Sequence, residues 1–510
     1  MNKPRILLAA PRSGSGKTLI TTALIRAMQR RGLRVSAFKT GPDYIDPMFH
    51  RQVLKVPSDN LDLFFAGEEG VRDIFARNAS DELSVIEGVM GLYDGMGGIR
   101  EEGSAYHLAC ALKAPVLLIV DARGMARSVL AEIAGFLSMD HEHRIAGILC
   151  NRLPAMLVPE IRRYVEEQFH IPMLGTMPSD SSLHLESRYL GLKLPGEVAD
   201  LEAMLDRAAQ QLESSCDLDR LLEIARSAEE ISRDAEEIQE EVAEGDWGKN
   251  EPVCAAVDGV EADTKKSETL SVDAENSASD EHGTGRGNRE DRSRVRIAVA
   301  RDDAFCFYYA ENLRLLERLG AELVEFSPLS DARLPENIQG LILGGGYPEQ
   351  YARALSENTS MRESIRQALE QQLPSLAECG GFMYLHETIT DRDGKSWPMV
   401  GAVQGDCHDT GRLVRFGYIT LTEKTPAFMD EGESIRAHEF HYFDSDNNGN
   451  ACVAKKPVGT RSWETSHVSE YSFWGYPHLY YLSNSHFAER FLEGCRKFCK
   501  NCVKSENDTD

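Results

Sequence analysis

Three things are scarce in this 510-residue chain: long apolar runs, excess positive charge and an ordered cysteine framework. Its longest apolar stretches, such as residues 115–120, are strand-sized, far short of the roughly 20 residues a helix needs to cross a bilayer. The N-terminus lacks the charged, apolar and small-residue regions of a secretory leader, so a cytoplasmic location is expected. Lys and Arg number 56 against 82 Asp and Glu, a formal charge of −26, whereas binding a phosphate backbone needs the opposite balance. Neither a membrane nor a nucleic acid is an expected partner. Eleven cysteines, an odd number without a secretion signal, argue against a disulfide scaffold. Cys495, Cys499 and Cys502 have the spacing of an iron–sulfur triad. Residues four and seven apart also share one helix face, so helix-face thiols are the expectation and metal binding the alternative.

What is present is α/β patterning. Apolar runs at 5–10, 35–39, 83–87, 116–121 and 145–151 alternate with helical stretches, the first over 18–31. That order implies a parallel sheet covered on both faces, and sets a first domain at 1–195. Within 201–300 stand 26 acidic against 12 basic residues, more than half of the chain's net charge. Runs rich in Glu and Ala over 200–243 read as helical, while 244–294 has too few apolar groups to offset its ordering entropy. Residues 196–294 therefore read as an acidic, helical and partly disordered linker. Strands at 295–300, 341–346 and 374–377 open a second α/β domain over 295–494, followed by a tail at 495–510.

The first turn reads Ser13-Gly14-Ser15-Gly16-Lys17-Thr18 between a strand and a helix, the context a phosphate loop requires. Glycines let backbone N–H groups converge on phosphate oxygens, and the helix N-terminus adds positive potential. Lys17 would reach the outer phosphates and the Thr18 hydroxyl would hold magnesium. Pro11 stands where the general motif has its first glycine. Lys39, Asp43 and Asp46 follow the second strand, Glu87 ends another and Asp94 lies just beyond it. Open α/β sheets bind ligands at such carboxyl ends. One or two carboxylates, with Asp43 and Glu87 foremost, are expected to complete the Mg2+ shell. Asp43, Asp46, Glu87 and Asp94 form the candidate set that would position an acidic substrate next to the triphosphate.

Far downstream, Glu378-Cys379-Gly380-Gly381 follows a strand and precedes an apolar helix start. A thiol at such an elbow can attack an amide, and the helix N-terminus favours its thiolate. Backbone N–H groups at Gly345, Gly346 and Gly380 can form the oxyanion hole. His478 is the best candidate base; His438 and His441 compete, with a structural pair as their plainer reading. Together the two stretches suggest an enzyme that activates a carboxylate with ATP and supplies it with ammonia cut from glutamine.

The motifs at 13–18, 39–47, 87–95, 343–349 and 378–381 resemble those of the cobyrinic acid a,c-diamide synthase family, leaving only the acidic middle unmatched. The resemblance implies a dethiobiotin-synthetase-like P-loop domain joined to a class I glutamine amidotransferase domain of the cobyric acid synthase type. It implies amidation of the a- and c-acetates of cobyrinic acid through acyl phosphates, with ATP and L-glutamine as co-substrates. Lys39 and Asn151 join the P-loop as ATP-binding positions, and Asn151 matches one that reads adenine. Cys379 maps to the nucleophile and His478 to its base. Better-known amidotransferases carry a Glu two positions after that His; here it is Tyr480, so the group orienting His478 is unassigned. A sheltered route from Cys379 to the Lys17 and Glu87 region is expected, and a homodimer is left open. Two alternatives stand beside this reading: the same amidation of hydrogenobyrinic acid or nickel-sirohydrochlorin, and a P-loop regulatory ATPase with an amidotransferase-like binding module.

Overall fold

The computed structural model describes residues 2–183, 187–188, 191–192, 201–231 and 294–507, with side chains for 2–183, 201–231 and 294–498. Strands β1 (Arg5–Ala9), β2 (Val35–Thr40), β3 (Ser58–Leu61), β4 (Leu83–Glu87), β5 (Val116–Asp121), β6 (Ile145–Asn151) and β7 (Met173–Met177) form one parallel sheet. Their spatial order is β3-β2-β4-β1-β5-β6-β7. Strand alternation sends Ile6 and Leu8 into one core and Leu7 and Ala9 into the other, which is why these runs are apolar throughout. Neither β3 nor β7 stood out in sequence. Strand β3 reads Ser-Asp-Asn-Leu, and β7 is interrupted by Gly175.

Helix α1 (Lys17–Arg30) shares its core with helices Leu201–Ser215 and Leu218–Arg226. Leu205, Leu212, Leu218 and Leu221 are buried there, and Arg26 pairs with Asp206 at 2.7 Å. The first part of the expected linker is thus packed on the P-loop domain, because its acidic residues decorate an amphipathic pair whose leucines face the sheet. The disorder expected over 244–294 falls, except for residue 294, outside the described residues.

The second domain holds a six-stranded sheet in the order Ala321–Phe326, Val295–Ala300, Gly340–Leu343, Ser375–Glu378, Ser472–Gly475, His467–Val468, parallel but for the last pair. An antiparallel sheet of Ser462–Thr465, Cys452–Lys455, Arg415–Glu423, Ser434–His441 and His478–Leu479 lies beside it. Residues 495–507 continue the helix Ser485–Asn507, so the expected separate tail is its last turns. Cys495 is fully buried against the position of Gly340, a core thiol, and no group of three metal-ligating side chains is found among the described residues. The side chains of Cys499 and Cys502 lie outside those described.

The domains meet where their strands end. Phe65 stacks on Tyr480 at 4.8 Å, the Tyr418 hydroxyl donates to Asp62 at 2.7 Å, and Arg436 donates to the Phe64 carbonyl at 2.7 Å. Arg77 pairs with Glu311 at 3.3 Å, while Arg314 bridges Asp59 and Glu311. Both acids are almost wholly buried, so each needs its guanidinium partner.

Candidate active site

At the P-loop, Gly14 and Gly16 take positive φ of 76° and 93°, a conformation that favours glycine. A methyl group on Gly16 would also stand 2.4 Å from Asn151 Nδ2, which donates to the Ser15 carbonyl at 2.8 Å. Asn151 therefore braces the loop from β6. Lys17 Nζ donates to the carbonyls of Met90 at 2.6 Å and Arg12 at 3.3 Å, folded back over the loop. Burial, then Lys39 nearby, lower the Lys17 ammonium to about 8. The Ser15 hydroxyl donates to the Arg12 carbonyl, which closes the turn.

Behind the loop lies a buried charge cluster. The Thr18 hydroxyl donates to Glu87 Oε1 at 2.7 Å, and Lys39 Nζ reaches the same oxygen at 2.8 Å and Asp46 Oδ2 at 2.5 Å. Register explains the meeting, since Lys39 lies opposite Glu87 across β2 and β4. Burial raises the Glu87 carboxyl to about 7, with Lys39 opposing. Burial also works against Asp46, but Lys39 overcomes it and holds that carboxyl below its usual range. Glu87 Oε2 is buried without a hydrogen bond, with His50 Nε2 3.9 Å away. His50, which sequence reasoning passed over, is pushed down to about 4 by burial and so stays neutral. Asp43 Oδ1 accepts from the Ile45 and Asp46 amides at 2.9 and 3.1 Å, starting α2 (Ile45–Gln52). Asp94 accepts from the Gly91 amide at 2.9 Å in a loop packed on the P-loop. Asp43 stands beside Lys39 and Asp46, and Asp94 near Lys17, both engaged in turns.

In the second domain Cys379 occupies a sharp elbow with φ 47° and ψ −103°, an uncommon conformation for a non-glycine residue. Its amide donates to the Gly475 carbonyl at 2.8 Å, tying the elbow to the strand that leads to His478. Cβ atoms built on Gly345, Gly380 and Gly381 would stand 2.3 Å from His478 Cε1, 2.8 Å from Pro348 Cδ and 2.1 Å from the Leu343 carbonyl oxygen. Gly346 N lies 3.0 Å from the position built on Gly380, so these two of the glycines expected to hold an oxyanion pack closely together. Burial, then Glu349, push the Cys379 thiol well above its usual range, and burial lowers His478 to about 3. The resting pair is neutral thiol and neutral imidazole. His438 lies across the strand pair from His478, and His441 Nδ1 bonds the Phe443 carbonyl at 2.6 Å. No hydrogen bond joins the two among the described residues; both lie on the strand Ser434–His441, and each has its own partners.

One segment joins both centres. Asp46 sits on Lys39, while Tyr44, two residues earlier, places its ring 5.1 Å from that of His478. Tyr44 also stacks on Phe307 at 5.0 Å and packs on Tyr309 at 4.7 Å. Tyr44 stood in the sequence only inside the 39–47 motif, without a role, since its neighbours come from the other domain.

The fold and the paired sites define a P-loop nucleotide-binding domain joined to a glutamine amidotransferase domain. Residues 6–190 match the CobQ/CobB/MinD/ParA nucleotide binding domain, and residues 296–483 the CobB/CobQ-like glutamine amidotransferase domain. The cobyrinate a,c-diamide synthase of Caldanaerobacter subterraneus subsp. tengcongensis is 34% identical over 505 residues, covering 96% of this chain and 98% of that protein. Those of Listeria innocua serovar 6a and Priestia megaterium are 35% and 32% identical, covering 95% and 97% of this chain and 97% and 98% of theirs. The chain belongs to the cobyrinate a,c-diamide synthase family.

Proposed function

We propose that this enzyme converts cobyrinic acid to its a,c-diamide, using ATP to activate each acetate and glutamine as the nitrogen source. A carboxylate resists ammonia because oxide is a poor leaving group, so its oxygen first takes the terminal phosphoryl group of ATP and releases ADP. Ammonia then attacks the acyl carbon, the carbon–oxygen bond breaks, and phosphate departs. Lys17 and the loop amides hold the triphosphate, Lys39 and Asp46 flank the transfer, and Asn151 keeps the loop in shape. The Thr18 hydroxyl and the unpartnered Glu87 Oε2 are hard oxygen donors that fit Mg2+, phosphate oxygens and water supplying the rest. When bound, that ion neutralises charge on the phosphates.

At the other centre Cys379 attacks the glutamine amide. Its proton passes to His478 and on to the departing ammonia, and water then frees glutamate from the thioester. The observation that carries this reading is the segment 43–46, with Asp46 on the Lys39–Glu87 cluster and Tyr44 against His478. On this reading ammonia released beside Cys379 passes to the acyl phosphate by way of the Tyr44 segment, whose ring packs on Phe307, Tyr309 and His478. Sheltering matters because free ammonia is mostly protonated at neutral pH. The test is mass spectrometry of product formed from cobyrinic acid, ATP and glutamine, beside hydrogenobyrinic acid and nickel-sirohydrochlorin. Two amidations of cobyrinic acid are expected; none on that ring, or preference for a nickel macrocycle, overturns the substrate assignment.

A further inference from the structure

His478 lacks a partner on its inner side. Its Nδ1 is buried and makes no hydrogen bond among the described residues. Tyr480, at the position where related enzymes carry an acid, is turned into the domain interface by its stacking on Phe65. The carboxylate that stands near Nδ1 comes from the other side of the nucleophile: Glu378 Oε2 is 3.9 Å away. Glu378 ends the strand Ser375–Glu378, in register with Gly475, the end of the strand from which the chain runs on to His478 three residues later. Its Oε1 accepts from the Tyr481 hydroxyl at 3.0 Å, which fixes the carboxyl and leaves Oε2 for the imidazole.

We infer that Glu378 is the positioning residue for His478, accepting a hydrogen bond from Nδ1–H so that Nε2 carries the lone pair that receives the Cys379 proton. This rests on Cys379 and His478 being the reacting pair. The role is the one an acid plays behind the histidine of a hydrolase, but supplied from the residue preceding the nucleophile. Only the ionised form performs it. A protonated Glu378 would donate to Nδ1 and put the histidine proton on Nε2, the wrong tautomer for a base. The groups facing Glu378 are His478, Cys379, Tyr44, Tyr481 and the Leu479 amide, with Tyr308, Tyr309 and Asn312 lining the small cavity beside it. These are uncharged side chains and a backbone N–H. Burial, opposed by the Tyr481 and Leu479 hydrogen bonds, raises the carboxyl to about 8. Glutaminase turnover in the intact enzyme is therefore expected to climb as pH rises toward 8.

The experiment measures glutamate release against pH, and ammonium-driven diamide synthesis, for the full-length enzyme and for Glu378→Gln, Glu378→Asp, Cys379→Ser and His478→Asn. Glu378→Gln should lower glutaminase kcat by about 10²- to 10⁴-fold with little change in the glutamine KM, and should lose the climb toward pH 8. Ammonium-driven synthesis should persist, and Glu378→Asp should recover part of the turnover. A Glu378→Gln enzyme with wild-type glutaminase or an unchanged pH profile overturns the assignment. Loss of ammonium-driven synthesis alongside glutaminase also overturns it, since that marks a role in folding. Glutaminase surviving in Cys379→Ser or His478→Asn would instead overturn the pair on which the assignment rests.

Discussion

Cys379 and His478 rest as a neutral pair, because burial disfavours both the thiolate and the imidazolium. Alkylation of Cys379 by iodoacetamide should therefore be slow at pH 7 in the free enzyme and faster when glutamine analogues organise the site; fast alkylation at pH 6 would contradict it. Cys379→Ala is expected to abolish glutamine-dependent synthesis yet keep synthesis at high ammonium. Lys17→Ala should lower both, by at least about 10²-fold, since the phosphates lose their cation. Glu378 also makes a stability prediction. Its folded carboxyl titrates near 8 against an ordinary value of 4.5, so the folded state binds the extra proton in between. Stability then falls as pH rises through that window. Glu378→Gln should show a Tm advantage over the parent that grows from pH 5 to pH 8, and a constant difference would contradict the shift. Lys17 and Cys379 were legible in the sequence because their chemistry needs short, fixed spacings. His478 stood as the best candidate base with His438 and His441 competing, Glu378 and Tyr44 stood inside motifs without a role, and His50 carried no signal, because each is defined by neighbours distant in the chain.

Elements were more legible than their partners. Five strands of the first sheet stand in sequence as apolar runs between helices, whereas β3 and β7 do not, one being polar and the other broken by Gly175. Composition misplaced the helices over 201–226, since a charged outer face hid a leucine stripe. The antiparallel sheet carrying His438 and His441 was not foreseen either, its pairing being long-range. Two glycines offer tests at this scale. Gly16→Ala would strain a left-handed turn and drive a methyl group into Asn151, so ATP binding measured by calorimetry should weaken while glutaminase persists. Gly345→Ala would push on His478 at 2.3 Å, and the expected result is the reverse: glutaminase lost, ammonium-driven synthesis kept. Equal loss of both activities in either variant would contradict the division of labour between the domains.

At the scale of the molecule, the arrangement turns on docking two strand-end sites against each other. The sequence held both motifs but not their proximity, which depends on Tyr44, Phe65 and the buried acids Asp59 and Glu311. Arg314→Ala leaves Asp59 without its interdomain partner; with the arginine about one-third exposed, the stability cost should be on the order of 1 kcal/mol. Its clearer effect should be on coupling, with more glutamine hydrolysed per amide formed, measured as the ratio of glutamate to diamide. The most direct test of the whole account supplies L-glutamine labelled with 15N at the amide, together with excess unlabelled ammonium, and weighs the product. If ammonia passes from Cys379 to the acyl phosphate inside the protein, the wild-type diamide should carry predominantly 15N at both new amides. Product diluted to the isotope ratio of the bulk solution would contradict it.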